Sequence, residues 1–142
     1  MNEQPAWPFE MCIKVIFRDL DALGHVNNAV YFTYMETART NFFAERVRIT
    51  DPQMLPVIVA EATCTYLAPL YMGDLLKVHM GVSRIGSRSF DFAYLMTYED
   101  GRAVARARTS MVTYDYEQAR AILIPETLRP ILEWAIAPTN DI

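Results

Sequence analysis

Phe17-Arg18-Asp19-Leu20-Asp21-Ala22-Leu23-Gly24-His25-Val26-Asn27-Asn28-Ala29-Val30-Tyr31 brings two carboxylates, a glycine, an imidazole and two amides into one short segment. An apolar helical pattern follows at once. Tyr31, Met35, Ala38 and Phe42 recur at helical spacing, supported by Tyr34 and Phe43, while Glu36, Arg39, Thr40 and Arg46 fall elsewhere on the wheel. The pattern predicts one long helix over residues 28–47, capped by Asn27 or Asn28, because an Asn side chain accepts from unpaired first-turn N–H groups. Its early turns (Ala29, Val30, Tyr31, Phe32, Tyr34, Met35) are apolar nearly all round, which predicts a helix covered on several sides. A loop carboxylate just ahead of a helix start lies near unpaired N–H groups and the positive end of the dipole, which can hold a developing oxyanion. That order of residues points to a hydrolytic site.

Outward from this segment the chain reads as strands. Residues 11–17 form a first strand, with Ile13, Val15 and Phe17 on one side. After Asp51-Pro52 come four long strand-like stretches, over residues 55–67, 74–85, 89–99 and 102–116. They are broken by turn chemistry at Ala68-Pro69, Met72-Gly73-Asp74, Gly86-Ser87 and Glu99-Asp100-Gly101. Short turns favour an antiparallel meander, and Asp100-Gly101 is a hairpin signal. Phe90, Phe92, Tyr94, Met96 and Tyr98 share one face of their strand. On the next, Ala103, Ala105 and Ala107 lie opposite Arg102, Val104, Arg106, Arg108, Ser110 and Val112, and the small alanines leave room for a close helix. Residues 125–134 read as a short amphipathic helix with Leu128, Ile131 and Leu132. The expected class is α+β: a curved antiparallel sheet of about five strands around one long central helix, in a single domain over residues 1–142.

Composition narrows the function. Hydrophobic residues make up 52% of the 142, enough for a packed core and against disorder. A net charge of −4 without a basic run speaks against nucleic acid as partner. Residues 1–10 lack the basic and apolar regions of a signal peptide, and no apolar run nears the ~20 residues that span a bilayer. Cys12 and Cys64 fall on predicted strands without metal spacing, which predicts reduced, buried thiols in a cytoplasmic protein. With His25 and His79 the only histidines, a His-built metal site is not expected.

Asp21-Ala22-Leu23-Gly24-His25-Val26-Asn27-Asn28 before the helix resembles the hotdog-fold thioesterases of the 4-hydroxybenzoyl-CoA thioesterase family. Three later landmarks fit in the same order: Tyr66-Leu67-Ala68-Pro69-Leu70 with Gly73-Asp74, Gly86-Ser87-Arg88-Ser89-Phe90, and Asp115 followed by Pro125. The resemblance implies hydrolysis of an acyl-CoA thioester, with CoA as part of the substrate and no further cofactor, in a homodimer or dimer of dimers with sites between subunits. It implies Asp21 as the catalytic carboxylate and a backbone N–H near Asn28 as oxyanion donor. The His-x-Asn-Asn element brings the chain closer to the general acyl-CoA branch than to the aromatic-acid specialists.

Each residue also has a plainer role. Asp21 beside Gly24 could simply order an Asx-turn; as a nucleophile or general base it suits a thioester, whose leaving thiol has a pKa of about 8.5 and needs little acid help. His25 could orient the loop or bond the thioester oxygen. Gly24 serves a positive φ or a close approach of ligand. Asn27 and Asn28 shape the helix start, and Tyr31 belongs to the core or to an acyl pocket. Arg84, Arg88 and Ser89 are candidate substrate contacts near the CoA phosphates. Glu61 could be a second active-site carboxylate, a solvated strand-edge acid or an arginine partner. Two rivals share these features: an acyl-carrier-protein thioesterase, and an acyl-CoA binding module that does not hydrolyse.

Overall fold

Strand pairing follows the order β1-β3-β4-β5-β2, antiparallel throughout. The strands are β1 (Phe9–Lys14), β2 (Val57–Tyr66), β3 (Leu75–Ile85), β4 (Ser89–Thr97) and β5 (Ala103–Asp115), in a computed structural model that describes residues 6–139. A two-residue strand absent from the sequence reading, β6 (Arg120–Ala121), pairs with the end of β5. The β3-β4-β5 meander follows the turn signals. Tyr98 and Arg102 close the β4–β5 turn by backbone bonds, with Gly101 at φ 90°.

Helix α1 (Val30–Phe42) lies in the concave side of the curled sheet. Tyr31, Tyr34, Met35, Ala38 and Phe42 are buried against Leu76, Val78 and Met80 of β3 and Phe90, Phe92 and Met96 of β4. Edge-to-face ring contacts run from Phe9 through Phe42 to Phe92 and Tyr94. Ala105 is fully buried in the same core, where the small-residue face of β5 was expected to admit the helix.

Four expectations need correction. The helix starts two residues later than predicted, because Asn27 first closes a turn by accepting from the Val30 N–H. It ends earlier, passing into a wider π turn over Phe43–Val47 that Arg48 stops at φ 65°. It is covered on several sides and leaves one face, with Ala29, Thr33, Glu36 and Thr40, open in the single chain. Phe17 belongs to a 3-10 turn and is 78% exposed, since β1 ends at Lys14 and the chain then bends toward the loop. Cys12 sits on the solvent side of β1 and is exposed; Cys64 on β2 is half-buried, and both are free thiols.

Strand β4 is buried on both faces, unlike an ordinary half-solvated strand. The chain after α2 (Arg129–Trp134) returns beside β3. Ala135 accepts from the Val82 N–H at 2.7 Å, and the Ala137 N–H donates to the Val82 carbonyl at 2.9 Å. Gly81 permits this crossing: a Cβ there would lie 2.8 Å from the Ala137 Cα. Leu128 and Leu132 are buried as the amphipathic pattern predicted. Among the described residues, no helix is long and apolar enough to cross a membrane.

Candidate active site

The loop ahead of α1 folds back on itself. Leu20 and Val26 form an isolated antiparallel bridge, the Asp21 N–H donates to the His25 carbonyl, and the Asn27 N–H donates to the Asp19 carbonyl. Asp19 also accepts from the Tyr34 hydroxyl at 2.9 Å, tying the loop to the second turn of α1. Burial and this bond to Asp19 push the Tyr34 phenol well above its usual pKa, so it stays a neutral donor. Gly24 takes φ 87°, and nothing lies within 4 Å of the place a Cβ would occupy. Its role in this chain is conformational.

At the rim of this loop Asp21 divides its two oxygens between two tasks. Oδ1 accepts from the Leu23 N–H at 2.8 Å, which is the Asx-turn expected from its place beside glycine. Oδ2 is 3.9 Å from His25 Nδ1, and the carboxylate is only 23% exposed. His25 Nδ1 also lies 3.3 Å from the Val26 carbonyl, an arrangement that favours the proton on that nitrogen. One carboxylate oxygen thus has no backbone donor and remains available for chemistry.

The helix start supplies the complement. The Ala29 N–H donates to Asn27 Oδ1 at 2.9 Å, and the Val30 N–H to the Asn27 carbonyl. The Asn28 N–H has no hydrogen-bond partner among the described residues. An unpaired amide at a helix N-terminus is a donor for developing negative charge.

Asp21, His25, Asn28 and Tyr31 come together in one cleft of about 440 Å³, which Tyr66 and Pro69 also line. Tyr31 is buried, and burial with the neighbouring Cys64, Tyr98 and Tyr66 pushes its phenol up to about 12. Gly24 and Asn27 shape the loop without lining the cleft. Arg84, Arg88 and Ser89 lie elsewhere. Ser89 pairs with Val112 of β5 whereas Tyr66 pairs with Ala105, so they sit at the opposite end of the sheet, roughly 23 Å along the strand. There Arg84 holds Asp91 through two bonds of 3.0 Å and donates to Ser89 Oγ at 2.9 Å. Glu61 faces Arg108 at 3.5 Å, the arginine-partner reading. Tyr66 and Pro69 received no site role from the sequence, although both stand in the Tyr66-Leu67-Ala68-Pro69 landmark.

A curled antiparallel sheet around one helix, joined by this loop, is the hotdog fold, and the class of protein is a thioester hydrolase. The chain belongs to the thioesterase-like superfamily, whose family profile matches residues 15–132. Among its relatives is the long-chain acyl-CoA thioesterase FadM of Escherichia coli K12, 27% identical over 124 residues, covering 85% of this chain and 94% of that protein. A 1,4-dihydroxy-2-naphthoyl-CoA hydrolase of Thermosynechococcus vestitus is 27% identical over 149 residues, covering 99% and 98%. The crystal structure of a Thermus thermophilus thioesterase complexed with coenzyme A and Zn superposes with a TM-score of 0.79 at 32% identity, over 91% of this chain and 94% of that one. The described residues of this chain contain no group of three or more His, Cys, Asp or Glu side chains that could hold a metal ion.

Proposed function

We propose that this protein hydrolyses an acyl-CoA thioester to a free carboxylic acid and CoA. The observation that carries the reading is the pairing, in one cleft, of a carboxylate oxygen free of backbone donors with an unpaired helix-start amide. In the reaction the thioester carbonyl oxygen takes the Asn28 N–H as negative charge develops on it. Asp21 either attacks the carbonyl carbon to give a mixed anhydride that water then cleaves, or takes a proton from the water that attacks. In both routes the C–S bond breaks, the thiolate of CoA leaves and is protonated by solvent, and the oxygen of one water ends in the acid. His25 orients the Asp21 carboxylate, and Tyr31 forms part of the acyl wall. The relatives named for CoA thioesters support CoA as the donor.

A second copy of the chain completes the site in this reading. Strand β2 is an edge strand exposed along most of its length, with Ile58 and Val59 each about 40% exposed, and it is free to pair with another strand. The open face of α1 would gain cover from the same partner. Arg84, Arg88 and Ser89 would meet substrate only from such a partner, being remote from the cleft of their own chain. Free thiols at Cys12 and Cys64 suit a cytoplasmic setting.

The test is a panel of short, long, branched and aromatic acyl-CoAs with release of free thiol as readout, run on the parent and on Asp21→Asn. Hydrolysis by the parent and its loss by at least about a hundredfold in the variant is the expected result. Faster turnover of a matched acyl-carrier-protein thioester would move the donor from CoA to the carrier. Binding of acyl-CoA without release of thiol would make the protein a binding module.

A further inference from the structure

We propose that Tyr66 is a positioning residue for the oxyanion donor: its hydroxyl and the Asn27 side chain clamp the peptide after Asn28 from both ends, and so fix the orientation of the Asn28 N–H. The inference rests on the acyl-CoA thioesterase reading above. Tyr66 is the last residue of edge strand β2, and its hydroxyl donates to the Asn28 carbonyl at 2.7 Å. The other polar atom of that same peptide, the Ala29 N–H, donates to Asn27 Oδ1 at 2.9 Å. One peptide plane is thereby held by the sheet on one side and by the loop on the other. The Asn28 N–H belongs to the peptide before it, joined through a single Cα. The carbonyl of that preceding peptide, Asn27, accepts from the Val30 N–H, so with the following plane also held the two torsions at Asn28, φ and ψ, are restrained from both sides.

Such fixing matters because a charge-stabilising donor is effective when it is oriented before the charge appears. Tyr66 itself is aimed by a buried neighbour. Its ring stands edge-on to Tyr31 at 4.9 Å and 84°, and Tyr31 is 3% exposed. A tyrosine that only packs against Tyr31 would do so equally well as phenylalanine. The hydroxyl is what distinguishes the two roles, and its partner is the carbonyl of the residue that carries the candidate donor.

Tyr66→Phe keeps the ring and removes the clamp. On the best acyl-CoA of the panel, kcat is expected to fall about ten-fold, short of the 10²–10³ typical of deleting an oxyanion donor, with KM within about two-fold. Amide exchange at Asn28 and Ala29, followed by NMR, is expected to accelerate. An unchanged kcat, or kcat and KM shifting together with a lowered thermal midpoint and no change in those amides, overturns the clamp. Asp21→Asn serves as the reference. If the parent turns over and Asp21→Asn does not, the thioesterase reading stands whatever Tyr66→Phe does. If the parent cleaves no thioester, that reading falls, and exchange at Ala29 alone then decides whether the clamp exists.

Discussion

Asp21 holds the Asx-turn and, in the proposed function, carries the chemistry on the same side chain, and substitution separates the two. Asparagine keeps an oxygen for the Leu23 N–H, whereas alanine leaves that amide without its acceptor. Both variants are expected to lose turnover, but only Asp21→Ala should lose stability, by about 1 kcal/mol in urea unfolding. Equal stability of the two would remove the Asx-turn from the account. Tyr31 gives a second prediction, in pH. Burial raises its folded pKa to about 12 from 10.0. The neutral phenol is therefore favoured in the folded chain, a stabilisation present in full below pH 10 and lost as pH climbs toward 12. Tyr31→Phe should flatten the alkaline limb of a stability-against-pH curve, measured by thermal midpoint from pH 9 upward.

Two contacts on the outer face of the sheet decide how the elements lock together. Gly81 is where the C-terminal crossing touches β3, with the Ala137 backbone occupying the space of a side chain. Gly81→Ala must push that crossing away and is expected to cost about 1–3 kcal/mol, with protection lost at the Ala137 amide in hydrogen exchange. The Arg84–Asp91 pair joins β3 to β4 beside a bulge between Val82 and Arg84. Burial pulls the Asp91 carboxyl upward, but bonds from Arg84 and Ser110 and the charges of Arg84 and Arg108 outweigh it, holding the group below the usual carboxylate range. A lowered folded pKa means stability that is present above the unfolded value and drains away as pH falls through the folded one. Asp91→Asn should therefore destabilise by about 1.5–3 kcal/mol at neutral pH. The difference from the parent should close in acid, below pH 3.8, as denaturant curves at the two pH values would read.

For the whole molecule, the exposed edge of β2 and the open face of α1 predict association. Sedimentation equilibrium should give two or four times the 16.3 kDa of the chain, and a stable monomer with full activity would refute the shared site. Much of this architecture was legible beforehand. The helix showed in the spacing of Tyr31, Met35, Ala38 and Phe42, and the meander in Gly86-Ser87 and Asp100-Gly101, because periodicity and turn chemistry are local properties. Asp21, Gly24 and Asn27 were legible for the same reason: each makes its decisive bond within three residues. What the sequence could not reveal is what joins distant segments. It did not show that Tyr66 reaches Asn28, that Arg84 is engaged by Asp91, or that residues 135–137 bridge to β3. By itself the chain determined its elements and the chemistry of one loop, since these depend on neighbours in sequence. Only the tertiary structure decided which loop atoms remain unpaired and which residues share the cleft, since both depend on how a strand at one edge of the sheet meets the beginning of the helix.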